Sequence, residues 1–164
     1  MMKAVWTAVT AAAVVAMATP VAAQTVKTAS VSVTVTVAAR ATLTLDANSV
    51  SFADADPDLT PSIAATPINI SAKARTSGGS VTLTVVSDQD LTSGSDTIAI
   101  SNLTWTASGT GFVAGTMNKT TAQSVGTWGN SGNQTGTQTL AMANSWAYNV
   151  GTYTATLTYT LTAP

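Results

Sequence analysis

Neither cysteine nor histidine occurs in this chain, and glutamate is absent as well. Without cysteine there is no disulfide, no thiolate nucleophile and no sulfur ligand for zinc. Without histidine the Ser-His-Asp and Cys-His arrangements are excluded, and so is the commonest nitrogen ligand for a metal. Charged residues make up only 8% of the sequence, six Lys plus Arg against seven Asp. That is not the basic footprint of a nucleic-acid binder, so no nucleic-acid partner is expected. Long apolar runs are missing too, apart from one near the N-terminus.

That run belongs to "MMKAVWTAVTAAAVVAMATPVAAQ". Lys3 supplies a positive start, Val5 to Met17 an apolar centre, and Val21-Ala22-Ala23 a small-residue cleavage site. The pattern predicts a secretory signal peptide over residues 1–23. The apolar stretch is shorter than the roughly 20 residues a spanning helix needs, so no transmembrane helix is expected after cleavage. The expected location is secreted, periplasmic or cell-surface. The remaining chain carries a formal charge of 5 − 7 = −2. With no disulfide to hold it, the fold depends on packed apolar area and backbone pairing, which about 140 residues can supply in one domain.

What is abundant is Thr, Ser, Val, Ala and Gly. The β-branched residues favour strands, and period-2 alternation recurs along the chain. "VSVTVTV" places Val31, Val33, Val35 and Val37 on one face; "ATLTLD" repeats the pattern with Leu43 and Leu45. "INISAKA" aligns Ile68, Ile70 and Ala72, and "VTLTVV" aligns Val81, Leu83 and Val85. "VSF" at 50–52, "TIAISNLTW" at 97–105, short pieces near Phe112 and Val125 to Trp128, and "QTLAM" at 138–142 read as further strands. The chain finishes on "YTATLTYTL", residues 153–161, with Tyr153, Leu157, Tyr159 and Leu161 facing inward and a row of Thr facing water. Short alternating strands separated by turn signals predict an all-β fold: an antiparallel, immunoglobulin-like or pilin-like β-sandwich of eight or nine strands. Residues 24–38 are set apart as an N-terminal strand or donor arm, and residues 39–164 as the sandwich domain.

Candidate sites are few. A glycosidase dyad needs two carboxylates flanking one bond, but Asp54, Asp56, Asp58, Asp88 and Asp90 sit in Pro/Ser/Gly-rich loops where solvated Asp is ordinary. No catalytic residue, enzyme activity or cofactor is expected. Asp54, Asp56 and Asp58 have the alternate spacing that opens a calcium loop. Neither the Gly nor the distal Glu of such a loop follows, and Pro57 interrupts it, so a turn with Asx hydrogen bonds is the plainer reading. No metal ligand is assigned. Trp105 reads as core. Trp128 and Trp146 stand between core and surface, and with Tyr148 they are the candidate glycan-contacting residues. Val31, Val33, Val35 and Val37 fit two roles: a first strand of their own domain, or a donor strand whose alternate side chains fill pockets along a neighbour's sheet edge.

The C-terminal third, "TWGNSGNQTGTQTLAMANSWAYNVGTYTATLTYTLTAP", resembles the end of the spore coat protein U domain, the family of archaic chaperone–usher pilins. The resemblance rests on Trp128-Gly129 ahead of a Gly-rich loop, on Gln138 to Met142, and on Gly151-Thr152-Tyr153 opening a long alternating final strand. "VSF", "INISAKA" and "VTLTVV" follow the family's order, and the N-terminal alternating arm matches its donor strand. It implies an incomplete immunoglobulin-like sandwich that polymerises by strand exchange into adhesive fibres, with other subunits of its own kind as partners. Those domains usually carry cysteines, and this chain has none. A second resemblance, to WxL surface domains, rests on the same final strand. Tyr159-Thr160-Leu161 takes the place of Trp-x-Leu there, and "LTW" at 103–105 echoes the other such site, although residue 107 is Ala rather than Leu. It implies a cell-wall or carbohydrate-binding module.

Overall fold

A computed structural model describes residues 25–164; the signal peptide expected over residues 1–23 lies outside them. Residues 36–164 form one compact unit, and residues 25–35 fall in another. The compact unit is antiparallel β throughout. Its strands are β1 (Arg40–Leu45), β2 (Ser62–Ala64), β3 (Ile68–Arg75), β4 (Val81–Ser87), β5 (Leu91–Ser93) and β6 (Asp96–Ile98). After one 3-10 turn at Ile100–Asn102 come β7 (Leu103–Ser108), β8 (Gly115–Thr116), β9 (Gln123–Trp128), β10 (Gly132–Ala143) and β11 (Leu157–Thr162). The large sheet runs β1-β3-β10-β7-β8, with β2 also paired to β10; the small sheet runs β11-β4-β9; β5 and β6 form a separate hairpin. The expected all-β sandwich is what the chain adopts, with eleven strands among the described residues rather than eight or nine.

The period-2 rows explain the core. Strand β3 buries Ile68, Ile70, Ala72 and Ala74 and turns Asn69, Lys73 and Arg75 outward. Strand β4 buries Val81, Leu83, Val85 and Ser87. From the large sheet, Leu103, Trp105, Leu140 and Met142 meet Val81, Leu83, Val85, Val125 and Trp128 of the small one in a single apolar cluster. The β4–β9 ladder shifts register after Leu83, where Leu83 pairs with Gly126 and Thr84 with Ser124. The shift leaves Val125 as the extra residue of a bulge, so both Val125 and Gly126 are buried. Gly126 is required by space: a Cβ there would stand 2.6 Å from Trp128 Cη2.

Several segments depart from their predicted form, among them the final strand, which starts at Leu157 rather than Tyr153. "TIAISNLTW" is not one strand, because it breaks at the 3-10 turn between β6 and β7. There the Asp90 carboxylate accepts the Ile100 N–H at 3.0 Å and also binds Lys119. The Lys119 hydrogen bond, with the Ile100 N–H second, holds the Asp90 carboxyl below the usual range. The Gly-rich loop expected before "QTLAM" is mostly strand: β10 starts at Gly132 and is twelve residues long, lying between β3 and β7. "VSF" forms no strand, although Val50 and Phe52 are half-buried against the core.

Candidate functional site

The two long seams of the sandwich are closed differently. Along one, β8 and β9 are neighbours, and backbone bonds tie the sheets together. The Val113 N–H donates to Val125 O at 2.9 Å, the Thr127 N–H donates to Gly111 O at 3.0 Å, and Phe112 bridges to Gly126. Along the other, the edge strands β1 and β11 are neighbours, yet no ladder joins them: β1 pairs only with β3, and β11 only with β4.

Position in the sheet therefore decides burial. On β4 the inward row is buried, whereas on β11 the inward row of Leu157, Tyr159 and Leu161 is half-exposed. Leu43 and Leu45 of β1 are half-exposed as well. All five pack against the core without being covered by it. The predicted facing of Leu157, Tyr159 and Leu161 is thus right in direction, and their cover is missing on one side. Tyr153 lies before β11 and is half-buried. Edge strands expose a row of unpaired N–H and C=O groups, which is a template for a further strand.

One polar link crosses the core beside this seam. The Tyr159 O–H donates to Gln138 Oε1 at 2.6 Å, joining the small sheet to the large one. Gln138 is 0% exposed, and its Nε2 has no partner among the described residues. Burial pushes the Tyr159 phenol up to about 12, against about 10 for a free one. The folded state thus holds the phenolic proton more tightly than the unfolded state. This contribution to stability is complete below pH 10 and is lost as the pH rises through 12. Tyr159→Phe leaves Gln138 Oε1 buried without its donor, which costs about 1–3 kcal/mol. Urea titrations at pH 7 to 11.5 should show that loss, together with a flatter alkaline limb. Adding Gln138→Leu should restore most of the stability at pH 7, since replacing both partners with apolar groups is close to neutral.

Val31, Val33, Val35 and Val37 form no strand; their side chains are 87, 81, 78 and 66% exposed. The regular alternation is therefore present without a ladder.

At one end of the sandwich, loops line an open cleft of about 960 Å³. One wall is the 50–57 segment, which runs into a turn at Asp56. Asp56 Oδ1 accepts the Asp58 N–H at 2.9 Å, and Asp56 O accepts the N–H groups of Leu59 and Thr60. This is the Asx turn expected from Pro57 and its flanking Asp residues. Among the described residues no three metal-ligating side chains converge. Asn144, just past β10, fastens that wall, its Nδ2 donating to Ala55 O at 2.9 Å and Thr60 O at 3.1 Å. The facing wall is 145–154. There the Tyr153 O–H donates to Asn149 O at 3.0 Å, and Asn149 Nδ2 donates to Asp96 Oδ1 at 2.9 Å.

The three candidate aromatics divide. Trp146 lines the cleft and is 71% exposed, with its Nε1–H donating to Asp58 Oδ1 at 3.2 Å. Tyr148 lines the same cleft, half-buried. Trp128 does not belong with them. It is 6% exposed, packs edge-on against Phe112 with ring centroids 5.0 Å apart, and donates its indole N–H to Thr110 O at 2.7 Å. The reason is its β9 register: it falls on the inward face, opposite Val81 of β4. Among the described residues no helix is long and apolar enough to cross a membrane.

No protein-family model, curated protein or solved structure matches this chain.

Proposed function

We propose that this is a non-catalytic, exported surface protein of structural or adhesive kind, an immunoglobulin-like pilin-type subunit that self-associates by strand complementation. The observation that supports the reading is the open seam. The outer edge of β11 carries no ladder, and the row beside it, Leu157, Tyr159 and Leu161, is half-exposed. A strand added there would gain a ladder of backbone bonds and would cover that row with its alternate side chains. The arm has a suitable sequence for this: four Val at two-residue spacing, all exposed. Left in water, such a row is an aggregation liability; paired with a neighbour, it is a joint. The spore coat protein U resemblance points to the same assembly.

Light scattering on a chain of residues 24–164 and on one of residues 39–164 tests the reading. The shorter chain keeps every strand, because β1 begins at Arg40. The expected outcome is a ladder of oligomers from the longer chain and a folded monomer from the shorter. A monomeric longer chain whose truncation unfolds it would make the arm an ordinary first strand, and the assembly reading would fall.

A further inference from the structure

We infer that the cleft between the 50–57 and 145–154 segments binds a neutral oligosaccharide, with the indole of Trp146 as its stacking platform. This site lies in the loops and does not depend on strand assembly. Trp105 and Trp128 are buried, each with its indole N–H satisfied by a backbone carbonyl. Trp146 is the exception: a large aromatic face left in water at the mouth of a 960 Å³ cleft. Its orientation is biased before binding, since its N–H donates to Asp58, whose own backbone N–H is held by Asp56. A ring oriented before binding loses less freedom on binding, which lowers the entropic cost of using its apolar face.

The chemistry of the lining narrows the ligand. Asp54, Asp56, Asn144 and Asn149 bring carboxylate and amide groups, while neither Lys nor Arg lines the cleft. Carboxylates accept hydrogen bonds from adjacent sugar hydroxyls while the C–H face of the pyranose lies on the indole. The same carboxylates repel uronate and sialate, so an anionic glycan is disfavoured. The volume sits at the upper end of the roughly 300–1,000 Å³ of small-molecule sites, which suits a short chain of sugars better than a single one. A cationic peptide would also meet the carboxylates, but it would be held by charge and so be sensitive to salt.

The test is titration of the purified chain with cellohexaose, mannohexaose and N-acetylchitohexaose, followed by tryptophan fluorescence and calorimetry. A hyaluronan hexasaccharide and hexalysine serve as anionic and cationic comparators. At least one neutral hexasaccharide should bind with the same Kd at low and high salt and shift the emission of Trp146. Trp146→Ala should weaken it at least tenfold, Trp146→Phe and Asp54→Asn only a few-fold, all with melting temperatures unchanged. Absence of binding by all three neutral sugars would overturn the inference. So would salt-sensitive binding of hexalysine in their place, or an unchanged Kd in Trp146→Ala.

Discussion

Replacing Trp128 with Ala is expected to lower the unfolding free energy by about 3–5 kcal/mol, while Trp146→Ala changes it by no more than about 0.5 kcal/mol. The two residues have the same side chain and both follow β-rich, Gly- and Asn-bearing sequence, so the difference lies wholly in their surroundings. Trp128 closes the β9 side of the core. Its ring meets Phe112 edge-on, lies over Gly126 where a Cβ would collide with it, and satisfies Thr110 O. Truncation removes all of these at once and opens a cavity between backbones that cannot collapse, because the seam beside it is tied by Val113 and Thr127. Trp146 touches water over most of its surface, and its removal forfeits one exposed hydrogen bond to Asp58. For a domain of this size the first change corresponds to a melting temperature roughly 10–25 °C lower, against a shift near zero for the second. Thermal unfolding followed by circular dichroism separates them; equal shifts would mean that the two rings have been assigned to the wrong sides of the surface.

The Trp128 and Trp146 contrast also marks where sequence reasoning stops. Alternation identified the inward rows of β3 and β4 as far as Ala72 and Val85, and the pleat carries them on to Ala74 and Ser87, because both strands lie over the core and burial there follows the pleat. The same alternation in β11 gave the right face but not its half-exposure, since being an edge strand is a property of the sheet and not of the strand. Strand β10 was hidden for the opposite reason. "GNQTGT" has loop composition, and it is held extended by β3 on one side, and further along by β7 on the other. Tertiary pairing overrides weak local propensity. The break in "TIAISNLTW" depends on Asp90, ten residues before the N–H it binds, and so on a residue outside the segment itself. Trp128 was undecidable by composition because its inward facing follows from a register shift opposite Leu83 and Thr84. The cleft that Trp146 and Tyr148 line exists because their loop is fastened to a segment far away in sequence, at Ala55 and Thr60, through Asn144, a residue without any distinguishing motif.

Placing a charge in the arm is expected to abolish self-association while leaving the sandwich intact. Val33→Asp and Val35→Asp are the informative variants. Both side chains are exposed, so within the domain each change is worth no more than about 0.5 kcal/mol, and the melting temperature should stay where it is. In the assembled state the same positions would face the row of Leu157, Tyr159 and Leu161, on the inward side of the edge strand. A carboxylate carried there loses its water and finds no counter-charge: the sandwich end of that strand bears Thr, Ala and Pro, and β1 offers Arg40 only at its start. Unpaired burial of a charge costs several kcal/mol, and every 1.4 kcal/mol is tenfold in affinity, so one substitution should reduce oligomers by orders of magnitude. Thr34→Asp makes the comparison specific. Thr34 lies on the alternate face of the arm, where an added strand would point it to solvent, so a charge there should leave assembly within a few-fold of the parent. Sedimentation velocity on the three variants at equal concentration reads the result directly. Loss of oligomers in Val33→Asp and Val35→Asp but not in Thr34→Asp would establish both the donor role of the arm and the face it presents; equal loss in all three would indicate charge repulsion between whole chains, and equal retention would remove the arm from the interface.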